Sequence, residues 1–258
     1  MPVLAICSGK GGVGKTTVSA NLAVVLTLFG RVIVIDSDIA LPNLHTFFGL
    51  DDPFISLLDV LKDMGYLKDA IYEIRVKLKD SEDMDVLKEL HVLPASTSVK
   101  ALEEIDMERF KDVIESLRKD YDFVIVDVAA GLSKYAIIPM LSADASYLVV
   151  NPEKASIIDS QKVRKIADVS GVRVGGIIIN RYKGEKRMVE YAENAIGAEV
   201  VGIIRESKLV RECWEDGIPV TMRKPYSKVA KDFYDLARRL VGEDVDIRPY
   251  GRLKYLFG

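Results

Sequence analysis

Cysteine, histidine, tryptophan and glutamine are all scarce in this chain of 258 residues, which has two Cys, two His, one Trp and, at Gln161, a single glutamine. Cys7 and Cys213 lie far apart with no C-x-x-C spacing, which argues against a cysteine-held zinc or iron–sulfur cluster and reads as two packing residues in a reducing compartment. His45 and His91 have no metal-ligand pattern and read as solvated or packed side chains. No apolar stretch reaches the length of a membrane span, and Met1-Pro2 leads straight into a strand-like run, so a cytoplasmic chain is expected. There is no excess of basic charge: the net charge is −3, so DNA is not the expected partner. Charge is abundant where glutamine is rare, a bias seen in thermophiles. With no internal repeat and no low-complexity tract, the length suits one domain over residues 1–241 and a tail over 242–258.

The chain is rich in one glycine loop. Gly9-Lys10-Gly11-Gly12-Val13-Gly14-Lys15-Thr16-Thr17 matches G-x-x-x-x-G-K-[ST] and adds a second lysine, Lys10. The glycines permit backbone angles that a side chain forbids, so the N–H groups from Gly11 through Val13 and Gly14 to Thr17 can turn around phosphate oxygens. Lys15 neutralises β and γ oxygens, Thr16 is placed to ligate Mg²⁺, and the helix starting here aims its positive end at the phosphates. The context agrees, with an apolar run at Pro2–Cys7 before the loop and an apolar helical stretch from Thr17 to Phe29, closed by Gly30, after it.

Continuous apolar runs recur at Val3–Cys7, Val32–Asp36, Leu90–Pro94, Phe123–Asp127, Ser146–Val150, Gly176–Asn180 and Glu199–Ile204. Helical stretches separate most of them, for example Met107–Lys119, Ala155–Val169, Lys186–Ile196 and Lys228–Val241. This predicts an α/β fold with a doubly wound, mostly parallel sheet and helices on both faces, as in a P-loop NTPase. The irregular segment Asp51–Lys88 reads as a peripheral insertion with helices near Leu57–Met64 and Tyr66–Val76.

In such a sheet ligands sit beyond the carboxyl ends of the strands, where the glycine loop, Asp36, Asp127 and Asn180 all fall. Asp127 ends the run Phe123–Asp127 as a Walker B carboxylate should, holding the hydration shell of Mg²⁺ beside Thr16. Asp36 can order that shell, and Asp38 can position a water in line with the γ-phosphate. Asn180-Arg181 closes the sixth run, where an amide suits the adenine edge. Asn180-Arg181-Tyr182-Lys183 lacks the lysine and aspartate of an N-K-x-D guanine motif, so ATP, with ADP as product, is expected over GTP.

Assembled, these pieces resemble the MinD/ParA family of deviant Walker A ATPases, and within it the MinD branch. The likeness is carried over nearly the whole chain by Ser8–Thr17, Ile35-Asp-Ser-Asp38 with Asn43-Leu44, Val92–Ser96, Tyr121–Asp127, Asn151-Pro-Glu153 and Gly217-Ile-Pro-Val220. The resemblance implies that Lys10 crosses a face-to-face homodimer to nucleotide held by the other subunit. It makes Asp38 the water-positioning residue, Asp36 its partner in switch I, and Asp127–Gly131 switch II. It also implies cell-division-site selection and a second protein that speeds hydrolysis. Departures are Ala129 where proline is common, Ala40 and Pro42 in switch I, and Ile204-Arg-Glu-Ser207 after the seventh run. The altered switches motivate one alternative, an ATP-binding scaffold with little hydrolysis; the other is a ParA-like DNA-partition or appendage-positioning ATPase.

Residues 248–258 read as a short amphipathic helix with Tyr250, Leu253, Leu256 and Phe257 on one face and Arg252 and Lys254 flanking it. This is similar to the membrane-targeting tail of the MinD branch. Burying the four apolar side chains yields roughly 6–12 kcal/mol, against about 1–2 per residue for ordering the tail. One tail binds anionic membrane marginally, whereas two on an ATP-bound dimer gain effective concentration.

Overall fold

The computed structural model describes residues 2–79, 84–96, 105–243 and 245. Among them eight strands form one sheet: β1 Val3–Cys7, β2 Val32–Asp36, β3 Tyr72–Lys79, β4 Asp85–Leu93, β5 Phe123–Asp127, β6 Ala145–Val150, β7 Val174–Tyr182 and β8 Val200–Arg205. Their order is β3-β4-β2-β5-β1-β6-β7-β8, parallel throughout except that β3 runs antiparallel to β4. The α-helices are α1 Lys15–Leu26, α2 Leu57–Lys62, α3 Phe110–Leu117, α4 Lys134–Leu141, α5 Lys154–Ser170, α6 Lys186–Ile196, α7 Lys208–Glu215, α8 Val220–Arg223 and α9 Lys228–Leu240.

Strand residues feed two cores by alternation, broken at bulges in β7 and β8. Val3, Ala5 and Cys7 join α2 to α6 on one face, around Phe110 and Ile157. Leu4 and Ile6 join α1 and α9 on the other, around Leu22 and Phe233. Both faces being covered explains why the central strands read as unbroken apolar runs. Phe110 and Phe233 are fully buried, and truncating a buried phenylalanine to alanine costs about 3–5 kcal/mol. At the edge, Asp232 accepts two guanidinium bonds from Arg205, both 2.6 Å, and so fastens α9 to the end of β8.

One expected element differs. The stretch Tyr66–Val76, read as helical, forms a short 3₁₀ turn at Met64–Tyr66 followed by β3. Here Ile74, Val76 and Leu78 turn toward the core shared with α1, while Glu73, Arg75 and Lys77 turn outward. That is a period of two, and pairing with β4 over eight positions settles it. The same pairing starts β4 at Asp85, five residues before the expected Leu90. Helix α1 opens at Lys15, inside the loop motif, and ends at Leu26. The proposed tail helix at 248–258 lies outside the described residues.

Candidate nucleotide site

The loop between β1 and α1 owes its shape to particular glycines. Gly12 and Gly14 have φ of 77° and 89°, the left-handed region that side chains disfavour. A Cβ on Gly9 would come within 2.2 Å of the Asp159 backbone on α5, so the start of the loop lies directly on that helix. Cβ atoms on Gly11 or Gly12 would instead meet open space. Gly14 caps α1 without any side-chain hydrogen bond, so the first N–H groups of that helix face the loop. This is a cradle fit for a phosphate chain.

The chemistry gathers on Asp127, which is fully buried at the end of β5. Its Oδ1 accepts from Lys15 Nζ at 2.8 Å and Ser19 Oγ at 2.7 Å, and its Oδ2 accepts from Thr16 Oγ1 at 2.7 Å. Ser37 donates both its N–H and its hydroxyl to the Asp127 carbonyl. On the next residues, Gly131 N–H donates to the Ser8 carbonyl and joins the loop after β5 to the glycine loop. Thr16 and Asp127 are thus adjacent, the donor set that a phosphate-bound Mg²⁺ requires.

Asp36 stands beside Asp127 in register on the neighbouring strand. Its carboxylate accepts the N–H groups of Asp38, Asn43 and Leu44 at 3.0–3.1 Å, which folds the segment after β2 back toward the strand end. Burial, and then the neighbouring Asp127, push the Asp36 carboxyl up to about 7. Asp38, half-buried, accepts from Leu41 N–H and is also raised, chiefly by burial. Since folded Asp36 keeps its proton to a higher pH than a free carboxyl near 3.9, its ionisation on raising the pH from about 4 to about 7 lowers stability. The stability advantage of wild type over Asp36→Asn is expected to shrink across that window, measured by denaturant unfolding in metal-free buffer. A difference that stays constant or grows contradicts this account of Asp36.

The segment after β2 continues into a 3₁₀ helix, Leu44–Phe48, whose first N–H Asp36 holds. Phe47 stacks on Trp214 of α7 with centroids 6.1 Å apart, and the indole N–H donates to Thr46 Oγ1 at 3.2 Å.

Lys10 is exposed and forms no ion pair or hydrogen bond with the described residues. Val13 is buried, while Thr17 is half-buried on the first turn of α1. Asn180 is buried under the loop, where its Nδ2 donates to the Val13 carbonyl at 2.8 Å and lies 2.2 Å from where a Gly14 Cβ would be. One of its amide hydrogens therefore supports the loop. Arg181 is exposed with φ of 55°. The fold thus brings Lys15, Thr16, Asp36, Asp38 and Asp127 together and sets Asn180 on the far side of the loop. Sequence reading missed Ser19 and Ser37. Ser19 lies four residues after Lys15, on the same face of α1, and that spacing was the available signal.

Residues 4–220 match the CobQ/CobB/MinD/ParA nucleotide binding domain. An uncharacterised ATP-binding protein of Methanocaldococcus jannaschii is 36% identical over 242 residues, spanning 93% of this chain and 87% of that one. The septum site-determining protein MinD of Pyrococcus horikoshii OT3, solved in complex with Mg-ADP, superposes with a TM-score of 0.81 at 35% identity, over 93% of this chain and 95% of that one. MinD from the MinC:MinD cell division complex of Aquifex aeolicus gives a TM-score of 0.80 at 32% identity, over 97% and 100%. The matching domain, these relatives and the eight-stranded P-loop sheet place the chain in the CobQ/CobB/MinD/ParA family of nucleotide-binding domains, as a MinD-like member.

Proposed function

We propose that this chain is an ATPase used as a switch in spatial positioning, of the kind that selects a division site, in which Mg·ATP drives homodimerisation and hydrolysis reverses it. The observation that carries the proposal is the convergence of Lys15, Thr16 and Ser19 on the buried Asp127 carboxylate, next to Asp36. The Mg²⁺ that accompanies ATP supplies charge neutralisation at the β and γ oxygens. Lys15 binds those oxygens, Thr16 and Asp127 hold the metal and its water shell with Asp36 behind them, and Asp38 orients the attacking water. Lys10 is free at the protein surface to reach nucleotide on a second copy. The Mg-ADP bound by the Pyrococcus relative supports the ligand assignment, and the MinC:MinD complex supports a protein partner.

The ATP-bound dimer in this proposal is cytoplasmic until it attaches peripherally to the inner face of the membrane through the paired tails. Sedimentation of the full chain with anionic-lipid vesicles tests it, comparing Mg·ATP with Mg·ADP. Pelleting that is selective for ATP is expected. Equal recovery with both nucleotides removes the nucleotide gate on membrane attachment, and none with either removes the membrane step and turns attention to a positioning ATPase directed to DNA or protein.

A further inference from the structure

A second cluster of ligand-type side chains lies on the β3–β4 hairpin, toward the amino ends of the parallel strands and away from the glycine loop. Glu73 faces His91 across the antiparallel ladder, and Glu89 precedes His91 by two residues on β4. Alternation along a strand sends all three side chains to one face. A carboxylate oxygen from each glutamate and an imidazole nitrogen lie within 4.8 Å of one another. His91 is half-buried, and its ring meets Tyr121 edge-on with centroids 5.3 Å apart, which holds its orientation. Arg31 is turned over the Tyr121 ring at 5.4 Å.

Both glutamates are exposed, and neither has an ion-pair partner among the described residues; Arg75 stands opposite Glu89 in the ladder, and the hairpin lysines Lys77 and Lys79 pair with Asp85. Two carboxylates this close repel unless a cation sits between them. An open cavity of about 410 Å³ runs alongside, lined by Glu73, His91, Asp120 and Tyr121 and also by the cationic Arg31 and Lys68, with room for a cation that keeps water ligands. Two carboxylates with one imidazole form a donor set suited to a borderline first-row divalent ion, with open positions left to water.

We propose that Glu73, Glu89 and His91 bind a divalent cation of the Zn²⁺ class that pins β3 to β4 at the sheet edge. The reading of His91 as a packed or solvated residue is then incomplete, because strand pairing brings it against carboxylates from two strands. Nucleotide-free full-length protein would be titrated with ZnCl₂ against a chromophoric chelator, and crystals soaked in ZnCl₂ measured at the zinc edge. The expected result is one equivalent of Zn²⁺, an anomalous peak between the three side chains and a raised melting temperature. His91→Ala and Glu73→Gln should each weaken binding by at least about tenfold, with the far-UV spectrum and ATP turnover unchanged. Glu73→Gln alters an exposed residue, so it remains informative if His91→Ala unfolds. His45→Ala should bind as wild type does. A peak elsewhere, or unchanged affinity in a folded Glu73→Gln variant, overturns the site.

Discussion

Lys15→Ala is expected to weaken ATP binding by at least about 100-fold, because two charge-assisted bonds to phosphate, each worth about 1.5–3 kcal/mol, are lost together. Turnover should fall to background. The same change strands the Asp127 carboxylate, whose ion pair with Lys15 is buried on both sides, at 8% and 0% side-chain exposure. Breaking a buried pair costs about 3–5 kcal/mol, and the Thr16 and Ser19 hydroxyls that remain on Asp127 offset part of it. Lys15 therefore has two separable roles, and a double-mutant cycle with Asp127→Ala distinguishes them. The double variant should recover melting temperature relative to Lys15→Ala without recovering nucleotide. Nucleotide titration and thermal melts provide both readouts. Unchanged ATP affinity in a folded Lys15→Ala protein would remove the loop from the nucleotide site.

Lys10→Ala should behave in the opposite way. Lys10 is exposed and unpaired among the described residues, so its loss should leave the melting temperature and ATP affinity close to wild type. Turnover should nonetheless drop by about 10³-fold, the lower range for a cationic finger supplied in trans. Wild-type specific activity should also rise with protein concentration while the variant's stays flat. Equal turnover in the two proteins contradicts a role for Lys10 across a dimer.

How legible these features were depended on whether local sequence or distant pairing determined them. The strands β1, β2 and β5 and the glycine loop could be read residue by residue, since each strand is a short apolar run and β2 and β5 end in Asp36 and Asp127. Asp36 and Asp127 could be placed at the carboxyl ends of strands, but that the two strands are neighbours in register comes only from the sheet, as does the burial that, with Asp127, raises the Asp36 carboxyl. The hairpin was misread because Glu73, Arg75 and Lys77 punctuate β3 with charge, and an edge strand shows its apolar side only once its partner is known. Ser19 was passed over because its spacing from Lys15 marks a shared helix face but does not name a partner; only the fold brings Asp127, 108 residues away, within 2.7 Å.

The contact between Trp214 and the segment after β2 makes the molecule its own optical probe. Asp36 holds the Leu44 N–H, the turn that begins there carries Thr46 and Phe47, and those two side chains touch the indole. No other residue of the chain is a tryptophan. Tryptophan emission, excited selectively, therefore originates at one half-exposed ring tied through a few bonds to the Asp36 carboxylate beside Asp127. A rearrangement of Asp36 on adding Mg·ATP is expected to change the hydration of that ring, and stopped-flow fluorescence would time it without a label.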